Sequence, residues 1–480
     1  MSARDCVSSE GRSGRPGIPG VLASFGLVVL LGLGWAGEAA SGEEWVPVGA
    51  AKVDITPEYP VRMYGYASRT TESEGVAGRL WAGALAIGGD GGEGPAVLLC
   101  VDCGSVPSEI RAEVLRRVQS QSAIRPERFV LANSHTHAGP NVGAARRLEG
   151  EERERMERYA GELADRLEEV VLEALAARRP GRLAWTQGAV GFAANRRVLT
   201  DGRWTGFGAV PEGAVDHSLP LLRVTDEDDQ PIALVVNYAC HCTTMRNDFV
   251  EIHGDWAAAA QEAIEADHPG AVALVTVGCG ADSDPYPHGR SDPDSGGDAV
   301  ALSEEHGRAI ADEVQRLMAG PFRPVTPELV AREAPLEISF EPSLEELERL
   351  SADSPAAERL LQQLEDGESL PSPQTIETTV WAFGEELAMV FLSDEMVVDI
   401  ALRLKRELDG SRLWISAYCN SISRYVVSAR LIEEGGYEVQ NSLSSRISLG
   451  NPELVQPPVE DRIVEHVRAL LPESYRSNAP

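Results

Sequence analysis

Short apolar runs alternate with amphipathic stretches along most of this chain, and this alternation constrains the fold more than any other feature. Phe129–Ala132, Ile232–Tyr238 and Leu387–Leu392 are apolar runs of strand length. Ser108–Gln119 and Glu151–Arg178 instead repeat their apolar residues at helical spacing. Strands that alternate with helices are typical of layered α/β proteins. We therefore predict one large layered α/β domain with mixed β-sheets and an active site at the strand ends.

The same alternation continues toward the carboxyl end, interrupted by one stretch of different composition. Residues 321–373 are rich in Pro, Glu and Leu, and contain a helix-like segment at Ser343–Glu365. This composition predicts a helical surface insertion. The chain shows neither an internal repeat nor a clear linker. We therefore expect a single catalytic domain over residues 45–475.

The first forty residues have the organisation of an export signal. Arginines precede an apolar run from Val21 to Ala36, and small residues follow from Gly37 to Ser41. This order predicts a secretory signal peptide over residues 1–40, cleaved near Ala39 or Ala40. An uncleaved membrane anchor is the alternative, because the run approaches the lower length limit for crossing a bilayer. We expect an exported protein, periplasmic or extracellular, without stable membrane insertion after cleavage.

The charge balance excludes one class of partner. Asp and Glu total 75 against 43 Lys and Arg, a formal net charge of -32. Such a surface repels phosphate backbones, so we expect no nucleic-acid partner. An oxidising compartment would permit disulfides among the six cysteines that follow the signal, but their spacing leaves the pairing open. Nothing in the sequence indicates an oligomeric state.

Three histidines stand where strands are predicted to end. In Ser134-His135-Thr136-His137 the two histidines are two residues apart and project to the same side of an extended backbone. Both can therefore face one ion or one reacting group, although two structural histidines would give the same spacing. His241 follows a continuous apolar run and is placed to enter a cleft. A half-buried histidine capped by the backbone is its alternative role.

A carboxylate has an equivalent position. Glu395 follows the apolar run Leu387–Leu392 and precedes a predicted helix, so it can enter the same cleft or cap that helix. Imidazole nitrogens and carboxylate oxygens are ordinary zinc ligands. A catalytic zinc needs about three protein ligands and one open position. Two histidines and a glutamate on separate strand ends would meet that requirement.

Several of these motifs, taken in order, resemble the neutral (non-lysosomal) ceramidases. The resemblance runs from about Val48 to about Tyr437 and is carried by short segments spread over the chain. These segments are Val48–Pro57, Met63–Tyr66, Ser134–Pro140, Asn195-Arg196, Val215–Val224, Asn237–Thr244, His253–Asp255, Asp394-Glu395 and Ser423–Val426. Several short matches in the same order as in the family are more specific than any single match.

The resemblance implies a zinc-dependent amidohydrolase that acts on an N-acyl amide bond. It implies ceramide or a ceramide-like lipid as the substrate, cleaved to a sphingoid base and a fatty acid. One Zn²⁺ per chain is implied, with ligands His135, His241, Glu395 and Tyr425. The family also implies that His137 and Arg196 lie beside the scissile carbonyl. There, an arginine can stabilise a developing oxyanion and a histidine can move a proton.

This chain departs from the family pattern at two points. The family's segment with an active-site serine is Gly280–Tyr286 here, with Asp284 at the serine's position and Ser283 one residue earlier. Asp282, Ser283 and Asp284 are therefore the candidate catalytic residues of this segment, and which of them takes the serine's role stays open. The family's C-terminal immunoglobulin-like domain also has no room before Pro480, so we expect the catalytic domain alone. A zinc hydrolase acting on another amide or ester, or a non-catalytic metal- or ligand-binding relative, is the alternative.

Overall fold

The computed structural model describes residues 45–288, 298–338, 344–351, 355–367, 374–442 and 459–477. The predicted signal peptide lies outside these ranges. The described residues form one compact unit with helices and large mixed sheets. This confirms the predicted single layered α/β domain. Within the described ranges, none of the helices has the length and apolar composition that a membrane crossing requires.

The strands and helices are numbered in chain order. The strands are β1 Val46–Asp54, β2 Gly75–Val76, β3 Trp81–Ile87, β4 Ala96–Val101, β5 Phe129–Asn133, β6 Arg179–Ala189, β7 Ala193–Thr200, β8 Arg203–Val210, β9 Ser218–Thr225, β10 Pro231–Tyr238, β11 Glu251–Ile252, β12 Val272–Val277, β13 Ser283–Pro285, β14 Arg323–Val325, β15 Leu329–Ile338, β16 Gln374–Phe383, β17 Leu387–Leu392, β18 Glu395–Met396, β19 Leu413–Ser416 and β20 Tyr425–Val426. The helices are α1 Ser108–Gln119, α2 Gly150–Ala176, α3 Asp255–Asp267, α4 Ala299–Met318, α5 Leu344–Ser351, α6 Pro355–Glu365, α7 Val398–Glu407, α8 Ala429–Glu434, α9 Tyr437–Gln440 and α10 Val459–Leu470.

Two sheets organise the domain. The larger has the order β12-β10-β9-β6-β1-β3-β4-β5, with β14 also paired to β6. The pairs β10–β12 and β4–β5 are parallel, and the other pairs are antiparallel. The second sheet has the order β15-β16-β17-β19, in which β17 and β19 are parallel. Sheets of this mixed kind were expected from the sequence.

The large sheet is covered on both faces by apolar side chains. One face packs against α1 and α2, whose buried residues include Leu163, Leu167 and Val170 at helical spacing. The opposite face packs against fully buried aromatic residues of the second sheet, among them Trp381 and Trp414. Each large apolar side chain buried in this way contributes about 1.5–3 kcal/mol. The strand ends therefore rest on a well-packed scaffold.

Gly83 leaves room for a neighbouring side chain inside the large sheet. A Cβ atom added to Gly83 on β3 would lie 2.5 Å from Cδ2 of Leu274 on β12. Two carbon atoms do not approach so closely, so a side chain at position 83 would displace the end of the Leu274 side chain.

The structure differs from the sequence-based expectation in three places. Strands β7 and β8 form a hairpin that the sequence analysis did not anticipate, with positive φ angles at Asp201 and Gly202 in its turn. Helices α4 and α10 were also missed. In the stretch 321–373, strands β14 and β15 come first, and helices occupy only its second half. β15 is an edge strand, and its exposed charged residues obscure the alternation of apolar and polar residues that is typical of a strand.

The carboxyl ends of several strands meet at one place. Backbone hydrogen bonds join the loops that follow them: His135 N donates to Cys103 O at 3.0 Å, and His241 N to Ser283 O at 2.9 Å. Tyr418 N donates to Asp394 O at 3.1 Å. These bonds link the loops after β4, β5, β10, β12, β17 and β19. The predicted site residues lie in or beside these loops.

Candidate active site

Two of the predicted metal ligands are histidines held by backbone carbonyls. His135 is 1% exposed, and its Nδ1 lies 2.7 Å from the carbonyl oxygen of Gly104. His241 is fully buried, with Nδ1 2.9 Å from the carbonyl oxygen of Gly280. A carbonyl oxygen only accepts hydrogen bonds, so both Nδ1 atoms carry the proton. Each Nε2 atom therefore presents a lone pair.

Both lone pairs point at a carboxylate. The Nε2 atoms of His135 and His241 each lie 3.2 Å from Oε2 of Glu395. Burial, and then the positive charge of Arg196, lowers the pKa of His241, which favours the neutral imidazole. An ionised carboxylate oxygen likewise only accepts hydrogen bonds. Three acceptor atoms thus face one another.

This arrangement fits a divalent metal ion. Among the buried side-chain atoms without a hydrogen-bond partner are Nε2 of His241 and Oε2 of Glu395. Buried polar atoms without a partner are rare in proteins, and each calls for an explanation. Tetrahedral zinc with ligand bonds of about 2.0–2.1 Å separates neighbouring ligand atoms by about 3.3 Å. The observed separations of 3.2 Å agree with that geometry.

His137 completes a cluster of three histidines. Its ring centroid lies 5.0 Å from that of His135 and 5.6 Å from that of His241. The ligand atoms of the three residues all lie within 4.8 Å of one another, so the group could hold a metal ion. Both ring nitrogens of His137 lack a hydrogen-bond partner. Burial, followed by the neighbouring His135, lowers the pKa of His137 well below its ordinary value.

The backbone of three loops at the site has an unusual conformation. His135 has a φ of 59°, in the left-handed region that non-glycine residues rarely adopt. Asp394, beside Glu395, has a φ of 65°, and Tyr418 has a φ of 58°. Backbone strain of this kind persists only where the surroundings enforce it, and it clusters at functional sites.

Tyr425, the fourth predicted ligand, lies beside the other three. It pairs directly with Glu395 in the short parallel ladder of β18 and β20. Its ring is stacked on His241, with centroids 6.4 Å apart and an interplanar angle of 11°. Its hydroxyl accepts a hydrogen bond of 3.3 Å from Nη2 of Arg196. Burial, and then Glu395, raises the pKa of Tyr425 well above its ordinary value, so the phenol keeps its proton.

Arg196 is buried and joins the histidine cluster to the cleft beside it. Its Nε donates to Glu438 Oε1 at 2.8 Å, and its Nη1 to Asp284 Oδ1 at 3.1 Å. Asp284 also accepts hydrogen bonds from Arg246 Nη1 and Thr243 Oγ1, each at 3.2 Å. Burial would raise the pKa of Asp284, but Arg196 and Arg246 outweigh it and lower that pKa below its ordinary value. Asp284 is therefore an ionised residue between two guanidinium groups.

The two residues before Asp284 have different surroundings. Asp282 is fully buried, and it accepts hydrogen bonds from Val398 N at 2.8 Å and from Asn195 Nδ2 at 3.0 Å. Burial raises the pKa of Asp282 to about 6. Ser283 is also fully buried, and its Oγ has no hydrogen-bond partner. Asp282 thus anchors the start of α7, and of the three residues only Asp284 lines the cleft.

The cleft has a volume of about 360 Å³, and the β7–β8 hairpin forms one wall. Its floor is polar and its rim aromatic: Phe207 is 48% exposed and Tyr286 46%. The residues that define its character are Arg196, Phe207, Arg246, Asp284 and Tyr286. A polar group of a substrate can reach Arg196 and Asp284, while apolar parts contact the rim.

The sequence analysis missed several residues of this region. Arg246 holds Asp284, and Tyr418 places its ring 4.6 Å from that of His135 and its hydroxyl 3.5 Å from Nδ1 of His241. Both lie on loops without a diagnostic spacing. Phe207 lies on the missed hairpin, which the Asp201-Gly202 pair could have revealed as a tight turn.

The six cysteines left open by the sequence are all buried and unpaired: Cys100, Cys103, Cys240, Cys242, Cys279 and Cys419. Burial raises the pKa of the Cys103 thiol to about 12. These residues therefore pack as small apolar side chains, and the described domain holds together without disulfides.

Comparisons with known proteins agree with this fold. Residues 47–276 match the family model described as neutral/alkaline non-lysosomal ceramidase, N-terminal. The fold is similar to the crystal structure of neutral ceramidase from Pseudomonas aeruginosa, with a TM-score of 0.67 and 20% sequence identity over 91% of this chain and 76% of that chain. It is also similar to a ceramidase complexed with C2, with a TM-score of 0.67 and 18% identity over 91% of this chain and 77% of that chain. The family matched by residues 47–276 is the one that the sequence motifs indicate.

Proposed function

We propose that this protein is a zinc-dependent amidohydrolase that cleaves an N-acyl amide bond, with ceramide or a ceramide-like lipid as the leading substrate. The products are a sphingoid base and a fatty acid. One observation carries the proposal: Nε2 of His135 and Nε2 of His241 each lie 3.2 Å from Oε2 of Glu395, while backbone carbonyl oxygens hold both Nδ1 atoms. A divalent cation satisfies all three atoms together. The match of residues 47–276 to the ceramidase family model supports the choice of bond.

The residues that would hold the zinc are His135, His241 and Glu395, with Tyr425 beside them. Bound zinc lowers the pKa of water and polarises a carbonyl oxygen. The protein orients the ligands through the carbonyl oxygens of Gly104 and Gly280, which fix the histidine tautomers.

Arg196 and His137 supply the remaining chemistry. Arg196 is held by Glu438 and Asp284, so its guanidinium is fixed before substrate binds. A fixed cation stabilises the negative charge that develops on the amide oxygen without reorganisation. His137 has two unpaired ring nitrogens, so its neutral imidazole can take a proton from the attacking water and then deliver it to the departing amine nitrogen. Protonation of that nitrogen makes the amine a good leaving group.

Asp284 favours a second candidate within the same reaction class. Its carboxylate, with Arg246, makes the cleft floor more polar than a serine would. A floor of this kind suits an N-acyl amine with a more polar head group than ceramide. Product analysis with an N-acyl sphingosine beside other N-acyl compounds separates the two candidates, because only the first predicts release of sphingosine.

The test of the proposed function is metal content and ceramide turnover measured on one preparation. We expect about one zinc per chain, loss of turnover on chelation, and recovery when zinc is restored. His241→Ala should lose both metal and turnover, whereas His466→Ala, a histidine that contacts Ala334 O far from the site, should lose neither. Full turnover in metal-free enzyme would contradict the proposal.

We also propose that residues 1–40 are an export signal and that residues 45–475 are the catalytic domain. The order of arginines, apolar run and small residues supports the first assignment. Mass spectrometry of the amino terminus after expression tests it. A new terminus near Ala39 or Ala40 supports export, and an intact terminus on membrane-bound protein supports the anchor instead.

A further inference from the structure

Arg69 lies beside the active site, and none of the chemistry above uses it. Its side chain is only 9% exposed. The hydrogen bonds of its guanidinium in the described part of the chain all go to backbone carbonyl oxygens. A buried cation costs free energy unless it is well paired, so its placement needs a reason. The placement of Arg69 is explained by the residues to which these carbonyl oxygens belong.

The guanidinium connects three separate segments. Nη1 donates to the carbonyl oxygens of His137 at 2.5 Å and Tyr64 at 2.9 Å. Nη2 donates to Arg246 O at 3.1 Å, and Nε more weakly to Asn247 O at 3.4 Å. The segment of His137 carries a side chain assigned to the reaction, and the segment of Arg246 carries one that lines the cleft. The Arg69 side chain therefore fixes the backbone of both segments.

The third segment presses on the His137 imidazole. Tyr66 packs its ring 5.0 Å from that of His137, and the Arg69 guanidinium lies 4.7 Å from the Tyr66 ring centroid. A Cβ atom added to Gly65 would lie 2.4 Å from Cγ of His137. The imidazole nitrogens have no hydrogen bond that would orient the ring. Its orientation therefore depends on this packing and on its backbone.

We propose that Arg69 is a positioning residue that holds the His137 imidazole and the Arg246–Asp284 pair in place by hydrogen-bonding the backbone of three loops. The inference rests on the proposed function, which assigns His137 its role. Arginine suits this task because its planar fork carries five donors. A lysine ammonium donates from a single atom and cannot span the same carbonyl oxygens. Arg69→Lys is therefore a test of geometry, since it keeps the charge.

Arg62 provides a matched control in the same loop. It also donates to backbone carbonyl oxygens, those of Thr70 and Arg69, and it pairs with Glu152 at 3.5 Å. Of these partners only Arg69 takes part in the proposal, and Arg62 contacts its backbone carbonyl and not its guanidinium. Arg62→Met and Arg62→Lys thus reproduce the loss of loop contacts without touching His137 or Arg246.

Kinetics with Arg69→Met, Arg69→Lys and the two Arg62 variants give the first readout. We expect kcat per metal-loaded chain to fall on the order of 100-fold in Arg69→Met, because a misplacement of about 1 Å can cost that much. Arg69→Lys should recover only a small part. KM and zinc content should change little, and both Arg62 variants should keep the wild-type kcat.

A second readout does not depend on turnover. Diethyl pyrocarbonate labelling of His137, followed by mass spectrometry, should be several-fold faster in both Arg69 variants than in wild type or the Arg62 variants. Unchanged labelling together with an unchanged kcat per folded chain would overturn the inference, as would equal effects in the Arg62 variants. If Arg69→Met does not fold, Arg69→Lys carries the test. If wild-type enzyme releases no amine from N-acyl amides, the proposed function fails, and labelling alone then decides whether Arg69 positions His137.

Discussion

Glu395→Gln should change the stability of the metal-free and metal-bound protein in opposite directions. In the metal-free protein, Oε2 of Glu395 faces two Nε2 lone pairs at 3.2 Å. A buried polar atom without a partner costs about 1–3 kcal/mol. The glutamine amide carries two hydrogens and can donate to both imidazoles. Metal-free Glu395→Gln should therefore have a free energy of unfolding about 1–3 kcal/mol higher than that of wild type.

Zinc should favour the wild type instead. A ligand that binds only the folded state stabilises it by about 4.1 kcal/mol at 1,000 times its Kd. Exchanging a carboxylate ligand for a neutral amide should weaken zinc binding at least about 100-fold, which removes about 2.7 kcal/mol of that stabilisation. The advantage of the variant should therefore disappear or reverse when zinc is present.

Urea unfolding with a chelator and with excess zinc measures both effects. Glu333→Gln is the control, because Glu333 lies on β15, away from the histidines, with Arg111 at 3.8 Å. It should show the same zinc-dependent stabilisation as wild type. A metal-free Glu395→Gln protein that is less stable than wild type would refute the reasoning about unpaired acceptors. Equal stabilisation of both proteins by zinc would refute the ligand assignment.

Three further predictions follow from the same geometry. Burial raises the pKa of Asp102 to about 7, above its unfolded value, so this residue favours folding at low pH and the benefit is lost as pH rises toward 7. Asp102→Asn, with the Gln261 amide flipped to keep both hydrogen bonds, should have the same free energy of unfolding as wild type near pH 4. At pH 8 its free energy of unfolding should be about 1–4 kcal/mol higher than that of wild type. Urea unfolding at both pH values measures this, and an equal difference from wild type at pH 4 and pH 8 would contradict the prediction. His137→Ala should keep its zinc yet lose about 10²–10⁴-fold in kcat, and loss of zinc, measured by elemental analysis, would make His137 a ligand instead. Arg196→Lys should lower kcat about 100- to 1,000-fold with little change in zinc content, and steady-state kinetics with a wild-type kcat would remove Arg196 from the mechanism.

Much of the scaffold could be predicted because burial imposes a period on the sequence. The boundaries of α1 and β17 agree with the predicted residues, and those of α2 and β10 differ by one or two. These elements are covered on one or both faces by the core, so their apolar pattern is strong. In the β7–β8 hairpin, half of the side chains of β8 are exposed and none is buried, so its apolar pattern is correspondingly weak. The edge strand β15 was missed for the same reason.

Site residues that directly follow buried strands could be predicted from the sequence. Site residues on loops that contact other loops could not. His135, His241 and Glu395 each follow an apolar strand, and the structure brings all three together. Their ligand roles remain proposals, but their convergence follows from the parallel strand ends. Arg69 and Arg246 act through contacts between loops far apart in sequence. No local pattern records such contacts, because the backbone carbonyls that Arg69 binds are common to every residue type.

The crystal structure of zinc-loaded protein, with anomalous diffraction measured on both sides of the zinc absorption edge, tests the central assignment most directly. We expect one strong anomalous peak, bounded by Nε2 of His135, Nε2 of His241 and Oε2 of Glu395. A peak elsewhere in the domain, or no peak in protein that turns over ceramide, would contradict the account.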